Sequence, residues 1–212
     1  MKSQSTFFRI LAACAAALTA LILAFAPGAA RAGDGASGGK ALMLVAKPQL
    51  GAAYSKTVLL VVPLPGAQHI GFIINRPLEA SLSALFPDHA PAKNVEDPIR
   101  FGGPVMADTV FALVHSAGGG PGGGAQRLFG DLFVASRAAD IDRIIEQTPN
   151  DARYFVGFVG WRPGELDEEI AKGFWYVIDP QEDLLFRKDP RHMWVELVRR
   201  LGFEPNPAQS AL

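Results

Sequence analysis

The chain has 212 residues, of which 49% are hydrophobic and 19% charged, and its formal net charge is −1. This is the composition of a globular protein, so collagen, a coiled coil, a long disordered chain and a multi-span membrane protein are excluded. Composition alone assigns no reaction and no partner.

The first 32 residues have the layout of a secretory signal peptide. Lys2 and Arg9 are followed by an apolar run over residues 10–25, and Pro27 precedes the small-residue sequence Ala30-Arg31-Ala32. The run is shorter than the roughly 20 residues that span a bilayer, so a retained membrane anchor is the weaker interpretation. We therefore expect cleavage after Ala32, giving a periplasmic or secreted protein with no stable membrane span.

Cleavage would change the chemistry of the chain. It removes three basic residues and Cys14, the only cysteine, and leaves 17 basic against 21 acidic residues, a net charge of −4. A nucleic-acid-binding protein is expected to be basic, so we expect no nucleic-acid partner. The mature chain can form no disulfide, and its four histidines lack the spacing of a metal pair. We expect no metal and no other cofactor.

The mature chain is predicted to form one domain at residues 41–203, between a glycine-rich lead-in at 33–40 and a proline-containing tail at 204–212. Short β-branched and aromatic segments bounded by glycine or proline predict seven strands. They lie at residues 41–46, 57–62, 70–74, 110–114, 128–135, 154–159 and 174–178.

Four helical segments are also expected. Ser81 and Ser136 are predicted N-caps, Pro163 or Gly164 opens a third helix, and Asp189 caps the last one. In the last helix Pro190 occupies the first helical position, and Trp194, Leu197 and Leu201 form an apolar stripe that should be buried against the sheet. Strands outnumber helices without alternating regularly with them, which favours a mixed α+β domain over a doubly wound parallel sheet.

Several motifs carry a resemblance to a known family. In chain order they are Ile74-Asn75-Arg76-Pro77, Phe101-Gly102-Gly103-Pro104-Val105, Val114-His115, the run 160–169 beginning Gly160-Trp161-Arg162-Pro163, Trp175, and Trp194 ahead of Leu201-Gly202. With them the chain resembles the YqgE/AlgH family of bacterial proteins over nearly all of residues 41–203. The resemblance implies a bent, partly barrel-like, largely antiparallel sheet flanked by helices. It implies no established activity, only a loose label as transcriptional regulators.

The chain also departs from that family. Ala52-Ala53 stands where members commonly carry Asp-Pro, and Pro63-Leu64 stands where they carry an acidic residue and histidine. The tryptophan motif continues Gly164-Glu165-Leu166-Asp167 instead of Gly-Gln-Leu-Glu. Most members also lack a leader, so this chain is expected to be an exported variant.

Two stretches could carry chemistry. The acidic residues after Trp161, among them Glu165 and Glu168, favour a helix start through the helix dipole, or they form a carboxylate site beside an aromatic wall. His115 ends a strand just before a loop at residues 118–124 that contains six glycines. The His115 side chain either donates a hydrogen bond to a carbonyl at the strand end or belongs to a functional site. That loop lacks the Lys and Ser or Thr of a phosphate loop, so a flexible connection is the better interpretation.

The sequence thus predicts a site where loops of the resembling motifs converge, because binding residues concentrate on loops held by a rigid scaffold. The predicted binding residues are Asn75, Arg76, Gly102, Gly103, His115, Trp161, Glu165 and Glu168, with no catalytic residue assigned. The alternative is that Arg76 pairs with one of the carboxylates and ties the fold together. Our main hypothesis is a noncatalytic binding or regulatory module in the periplasm, with an unknown protein or small polar ligand as partner. An enzyme using residues 161–169 is the second hypothesis, and a transcriptional regulator the third.

Overall fold

The computed structural model describes residues 40–51 and 54–205. The predicted signal peptide, most of the lead-in, Ala52-Ala53 and the tail beyond residue 205 lie outside the described residues. The strands are β1 (Leu42–Ala46), β2 (Val58–Leu64), β3 (Gln68–Ile73), β4 (Arg100–Phe101), β5 (Val105–His115), β6 (Gln126–Phe129), β7 (Leu132–Ala135), β8 (Ala152–Trp161) and β9 (Trp175–Ile178). The helices are α1 (Leu82–Leu85), α2 (Ala138–Gln147), α3 (Glu165–Ala171), α4 (Glu182–Leu185) and α5 (Met193–Arg200), with a 3₁₀ helix at Ala90–Asn94.

The strands form one curled, mostly antiparallel sheet in the order β6-β7-β5-β8-β3-β2-β1-β9. The short strand β4 lies off this path and pairs with β8 in parallel. Helices flank the sheet, so the predicted α+β class and the half-barrel curvature are both confirmed.

Both faces of the central strands are buried. On β5, Val110, Ala112 and Val114 point to one face and pack with Ile141, Ile144 and Ile145 of α2. The intervening residue Phe111 points to the other face, where its ring lies 5.7 Å from that of Phe72 and 5.6 Å from that of Phe158. Alternation along a strand puts successive side chains on opposite faces, so one strand contributes to both layers of the core.

The predicted single strand at 128–135 is wrong. Its residues form the hairpin β6–β7, in which Gly130 and Asp131 make the two-residue turn. Gly130 has φ +49°, and glycine is favoured at the first position of such turns because it adopts positive φ without a side-chain clash.

The last helix begins later than its sequence indicates. Asp189 is not its N-cap: its Oδ1 accepts hydrogen bonds from the backbone and side chain of Arg191, and α5 starts only at Met193. An aspartate that bonds to the amide two residues ahead forms a local turn, and here that turn precedes the helix. Trp194 and Leu197 are buried as predicted, but Leu201 is 38% exposed and does not belong to the core.

The two serine caps have different outcomes. Ser81 caps α1 as predicted, since its hydroxyl accepts from the Ala84 amide at 3.2 Å. Ser136 does not cap α2, whose N-cap is Arg137 with no side-chain cap bond. The buried carboxylate of Asp140 in the first turn of α2 stabilises that end of the helix instead, because a negative charge there meets the positive end of the helix dipole.

Candidate functional site

Asn75 and Arg76, two predicted binding residues, hold a neighbouring turn. The Asn75 side chain accepts from the Val58 amide and donates to the Lys56 carbonyl, each at 2.8 Å, and the Arg76 guanidinium donates to the Ser55 carbonyl at 3.0 Å. Burial lowers the pKa of Arg76. Lys56 has φ +56°, so these bonds stabilise a backbone that a non-glycine residue rarely adopts. Both side chains therefore have a structural task in this fold.

Gly102 and Gly103 lie where the chain passes between β3 and β8. The Gly102 amide donates to the Val156 carbonyl, and its own carbonyl accepts from the Ile73 amide, both at 2.9 Å. A Cβ on Gly102 would overlap the carbonyl oxygen of Gly157, and one on Gly103 would overlap the backbone of Phe158. We call Gly102, Gly103 and Gly157 the glycine crossing. Backbone packs there against backbone, which leaves no room for a ligand.

Trp161 ends β8 and is buried beside a carboxylate that the sequence prediction did not select. One oxygen of Glu169 accepts from the indole of Trp161 at 3.0 Å and from the indole of Trp175 at 2.9 Å. Glu165 accepts from the Arg162 amide at 2.9 Å, and exposed Glu168 pairs with Lys172 at 3.3 Å. Glu169 thus connects α3 to β8 and β9.

The structure brings the Asn75–Arg76 loop and the Gly102–Gly103 segment together, but it places Trp161 apart from Asn75. Trp161 pairs with His69 at the start of β3, whereas Asn75 follows His69 by six residues, a span of about 20 Å in an extended chain. The bridge between Pro77 and Arg100 connects the Arg76 loop to the segment of the glycine crossing instead. Arg76 pairs with neither Glu165 nor Glu168, so the alternative of a tie between them is wrong.

His115, the remaining predicted residue, lines a cavity of about 230 Å³ at the end of β5. We call this the His115 cavity; its lining residues are His115, Ser116, Gly120, Pro121, Arg143, Ile144, Gln147 and Thr148. The imidazole Nε2 of His115 lies 3.7 Å from a carboxylate oxygen of Glu182, and its ring meets the edge of Phe186 at 6.2 Å. His115 is half-exposed and belongs to a different part of the sheet from Trp161.

A buried carboxylate ties the glycine-rich loop, residues 118–124, to α2 beside this cavity. Asp140 Oδ2 accepts from the Gly124 amide at 3.0 Å and from Arg137 Nε at 2.9 Å, and its Oδ1 accepts from Arg143 at 3.2 Å. Burial by itself raises the pKa of Asp140, but the bonds from Arg137 and Gly124 and the charges of both arginines outweigh it and lower the pKa below its usual value.

Two buried arginines form a second polar cluster that the sequence analysis missed. Arg100 is 1% exposed and donates to the carbonyls of Ile74, Leu185 and Arg187 at 2.7–3.1 Å. Burial, aided by the like charge of Arg153, lowers the pKa of Arg100 to about 10. Arg153 pairs with Asp97 at 3.0 Å. These guanidiniums hold the segment after α4 against the sheet, since most of their partners are backbone carbonyls.

The structure also bears on metals and membranes for residues 40–51 and 54–205. Within those residues no group of three or more His, Cys, Asp or Glu side chains is placed to hold a metal ion. None of the helices there has the length and apolar character needed to cross a bilayer.

The family is decided by comparison with known proteins. A family model described as AlgH-like matches residues 43–206. The chain belongs to the AlgH-like family. Among curated relatives, a UPF0301 protein of Chlorobium limicola is 32% identical over 77% of this chain and 86% of its own length. A UPF0301 protein of Streptomyces avermitilis is 26% identical over 74% of this chain and 84% of its own length.

Solved structures of two other bacterial proteins show a similar fold. The AlgH protein from Pseudomonas aeruginosa has a TM-score of 0.64 at 24% identity, covering 77% of this chain and 89% of that protein. A protein from Corynebacterium diphtheriae has a TM-score of 0.64 at 21% identity, covering 82% of this chain and 92% of that protein. At these identities the likeness concerns the fold alone.

The cavity residues other than His115 were not selected from sequence. Arg143 follows Asp140 by three residues on α2, a spacing that places the two side chains on one helix face. The Asp140–Arg143 pair next to a glycine-rich loop was the sequence feature that could have indicated the cavity. Ser116 and Thr148 carry no such pattern, because only the fold brings the end of β5 to the end of α2.

Proposed function

We propose that this AlgH-like protein is an exported, noncatalytic binding module that acts in the periplasm. The observation that carries the binding role is the His115 cavity, where polar side chains with no hydrogen bond to the described part of the chain face one concave space. Concave sites with a few convergent polar groups are where small ligands bind. Export is supported by the leader-like sequence, with Lys2 and Arg9 ahead of the apolar run and Ala30-Arg31-Ala32 after it.

Binding is favoured over catalysis because the three glutamates of the proposed catalytic stretch 161–169 are engaged. A general acid or base must reach a substrate proton at about 3 Å. Glu169 accepts from two indoles, Glu165 accepts from a backbone amide, and Glu168 pairs with Lys172 at the surface. This arrangement supports a structural role for α3.

Export is tested with a reporter enzyme that needs disulfide bonds for activity, fused after residue 40. Disulfides form in the periplasm and not in the bacterial cytosol, so reporter activity follows export. The matched control replaces Leu21 and Ala24 with arginine, which interrupts the apolar run. We expect activity only for the natural leader and an N-terminus at Gly33 in the exported chain. An uncleaved chain in the cytosol would contradict the proposal.

Binding is tested by affinity capture from a periplasmic extract with the exported chain as bait. The variant carries Thr148→Val in the cavity, and the matched control carries Thr109→Val on β5, a partly exposed threonine outside the cavity lining. We expect a protein or small molecule that is retained by the natural chain and the control and is lost from the Thr148 variant. Turnover of a captured compound would instead support the enzyme hypothesis.

The regulator hypothesis is tested separately by duplex DNA binding. The predicted mature charge of −4 opposes it, since phosphate contacts need lysine and arginine in excess. We expect no saturable binding at physiological ionic strength. Saturable, salt-dependent binding would overturn the noncatalytic periplasmic proposal in favour of a regulator.

A further inference from the structure

We propose that the His115 cavity binds a small oxyanion, a carboxylate or phosphate group, through Arg143 and the hydroxyls of Ser116 and Thr148. The inference rests on the proposed function, because it names the ligand class of the same cavity.

The guanidinium of Arg143 supplies a positive charge to the cavity. Arg137 and Arg143 both contact Asp140, so two guanidiniums face one carboxylate and one positive charge is left over. Arg143 uses only its NH1 for Asp140; its Nε and NH2 have no hydrogen-bond partner among residues 40–51 and 54–205. The Arg143 side chain is 37% exposed and lines the cavity. A planar guanidinium with free donors suits a carboxylate or phosphate, which it can bind through two parallel bonds.

Neutral donors stand beside this cation. Ser116, Gln147 and Thr148 line the same cavity, and none of their side chains has a hydrogen bond to the described part of the chain. Hydroxyl and amide groups donate to oxyanions without adding charge. Together with Arg143 they provide several donors in one concave place.

Nearby acidic groups do not cancel this preference. Asp140 is 3% exposed and already accepts from two arginines and the Gly124 amide. A carboxylate oxygen of Glu182 lies 3.7 Å from the Nε2 of His115, but Glu182 is not among the lining residues. No carboxylate of the described chain lines the cavity itself.

Size limits the ligand. The cavity volume of about 230 Å³ lies below the roughly 300 to 1,000 Å³ of sites for drug-sized molecules. Gly120, with φ +98°, packs against the ring of Phe133, so the loop wall cannot retreat on that side without moving the ring. The cavity is open to solvent on one side, so its volume limits the part of a ligand that it holds to a compact acid or phosphate group.

The experiment is a titration followed by ¹H–¹⁵N NMR, with the chain purified from the compartment in which it accumulates. The probes are inorganic phosphate, acetate and succinate, each against sodium chloride at equal ionic strength. We expect saturable shifts at Ser116, Gly120 and Thr148 for at least one oxyanion and none for chloride. The preferred probe distinguishes a phosphate site from a carboxylate site.

Three variants make the test specific. Arg143→Gln should weaken the preferred probe by about tenfold or more, the loss expected when a charged hydrogen-bond partner is removed. Thr148→Val leaves the Asp140 contacts in place and should weaken it by about threefold to tenfold. Arg162→Gln, an exposed arginine beside Glu165 on α3, should leave affinity unchanged.

If Arg143→Gln does not fold, Thr148→Val decides alone. Absence of saturable shifts, or equal affinity in the Arg143 or Thr148 variants and the natural chain, overturns the oxyanion site. Export and capture can still succeed in that case, so the proposed function would stand. Saturable oxyanion binding by a chain that is not exported would support this inference and overturn the periplasmic proposal instead.

Discussion

Gly102 in the glycine crossing and Gly118 in the glycine-rich loop are glycines for different reasons. In the crossing, a side chain on Gly102 would overlap the backbone of Gly157, although Gly102 has no positive φ. In the loop, Gly118 has open space around it but adopts φ +82°. Gly102 is needed because it has no Cβ, and Gly118 is needed for its backbone freedom. Other positions combine the two needs: Gly157 of the crossing has φ +68°, and a Cβ on Gly123 of the loop would overlap the Asp140 carboxylate. The glycine-rich loop also lines the His115 cavity, through Gly120.

The two regions are also held to the rest of the fold by different groups. The segment of the crossing is held by backbone hydrogen bonds and by the buried guanidinium of Arg100, which donates to three carbonyls. The loop is held by a carboxylate, Asp140, which accepts from the Gly124 amide. We therefore expect the crossing to respond to packing changes and the loop to respond to pH and charge.

The largest effect is expected from Arg100→Ala. Removal of the guanidinium leaves the carbonyls of Ile74, Leu185 and Arg187 without a donor in a buried site, which should cost about 3 to 5 kcal/mol of unfolding free energy. Urea denaturation measures it. Arg127→Ala is the control, because Arg127 is exposed and lies over the Phe133 ring at 5.2 Å; it should cost about 1 kcal/mol or less. Equal costs would mean that burial of Arg100 contributes nothing.

Gly102→Ala should come next. The added methyl group meets the backbone of Gly157, which cannot rotate away as a side chain would, so we expect a loss of about 3 kcal/mol. Thermal unfolding followed by circular dichroism gives the loss in stability. A Tm close to that of the natural chain would show that β8 can move away from the crossing.

The sequence identifies the motif of the glycine crossing but does not identify the His115 cavity. The motif containing Gly102-Gly103 was identified, together with the family and the mixed α+β class, because these depend on local composition and order. Its role as a binding loop was not distinguishable from close packing, since the contact with Gly157 joins residues 55 positions apart. The cavity was missed for the same reason, because His115, Gly120, Arg143 and Thr148 meet only after β5 and α2 pack together.

Two predicted element boundaries are wrong, one because of a short polar side chain and one because of a glycine with positive φ. The sequence predicts Asp189 as a helix cap, but its carboxylate accepts a hydrogen bond from the Arg191 amide and the helix begins only at Met193. Gly130 sits inside an apolar run that reads as one strand, yet its positive φ turns the chain. In both cases the two competing local conformations differ in free energy by only a few tenths of a kcal/mol to about 1 kcal/mol. A sequence pattern does not distinguish conformations that are so close in energy.

Gly118→Ala is the matched counterpart of Gly102→Ala. No atom lies within 4 Å of the added Cβ, so the only cost is the positive φ, about 1 kcal/mol. The same thermal unfolding measurement applies. A loss as large as that of Gly102→Ala would show that the loop is as tightly packed as the crossing and would remove the distinction between the two regions.

The smallest effect, and the most specific one, concerns the charge of Asp140. Its folded pKa lies below its usual 3.8, so the stabilisation is fully present above that value and is lost as the pH falls through the folded pKa. Asp140→Asn should therefore cost about 1 kcal/mol near pH 6, and the cost should shrink as the pH falls below 3.8 and through the folded pKa. Asp142→Asn, on the exposed side of α2, is the control and should change little over the same pH range.

Amide hydrogen exchange at Gly124 measures how the charge of Asp140 affects the glycine-rich loop. The Gly124 amide donates to Asp140, whereas the Gly102 amide donates to the Val156 carbonyl, which does not titrate. On acidification, protection at Gly124 should fall relative to protection at Gly102 in the natural chain, and the Asn variant should show no such pH dependence. A parallel loss at both amides would indicate global unfolding and contradict a separate, charge-held loop. A loss at Gly124 alone would mean that the wall of the His115 cavity opens while the crossing stays closed.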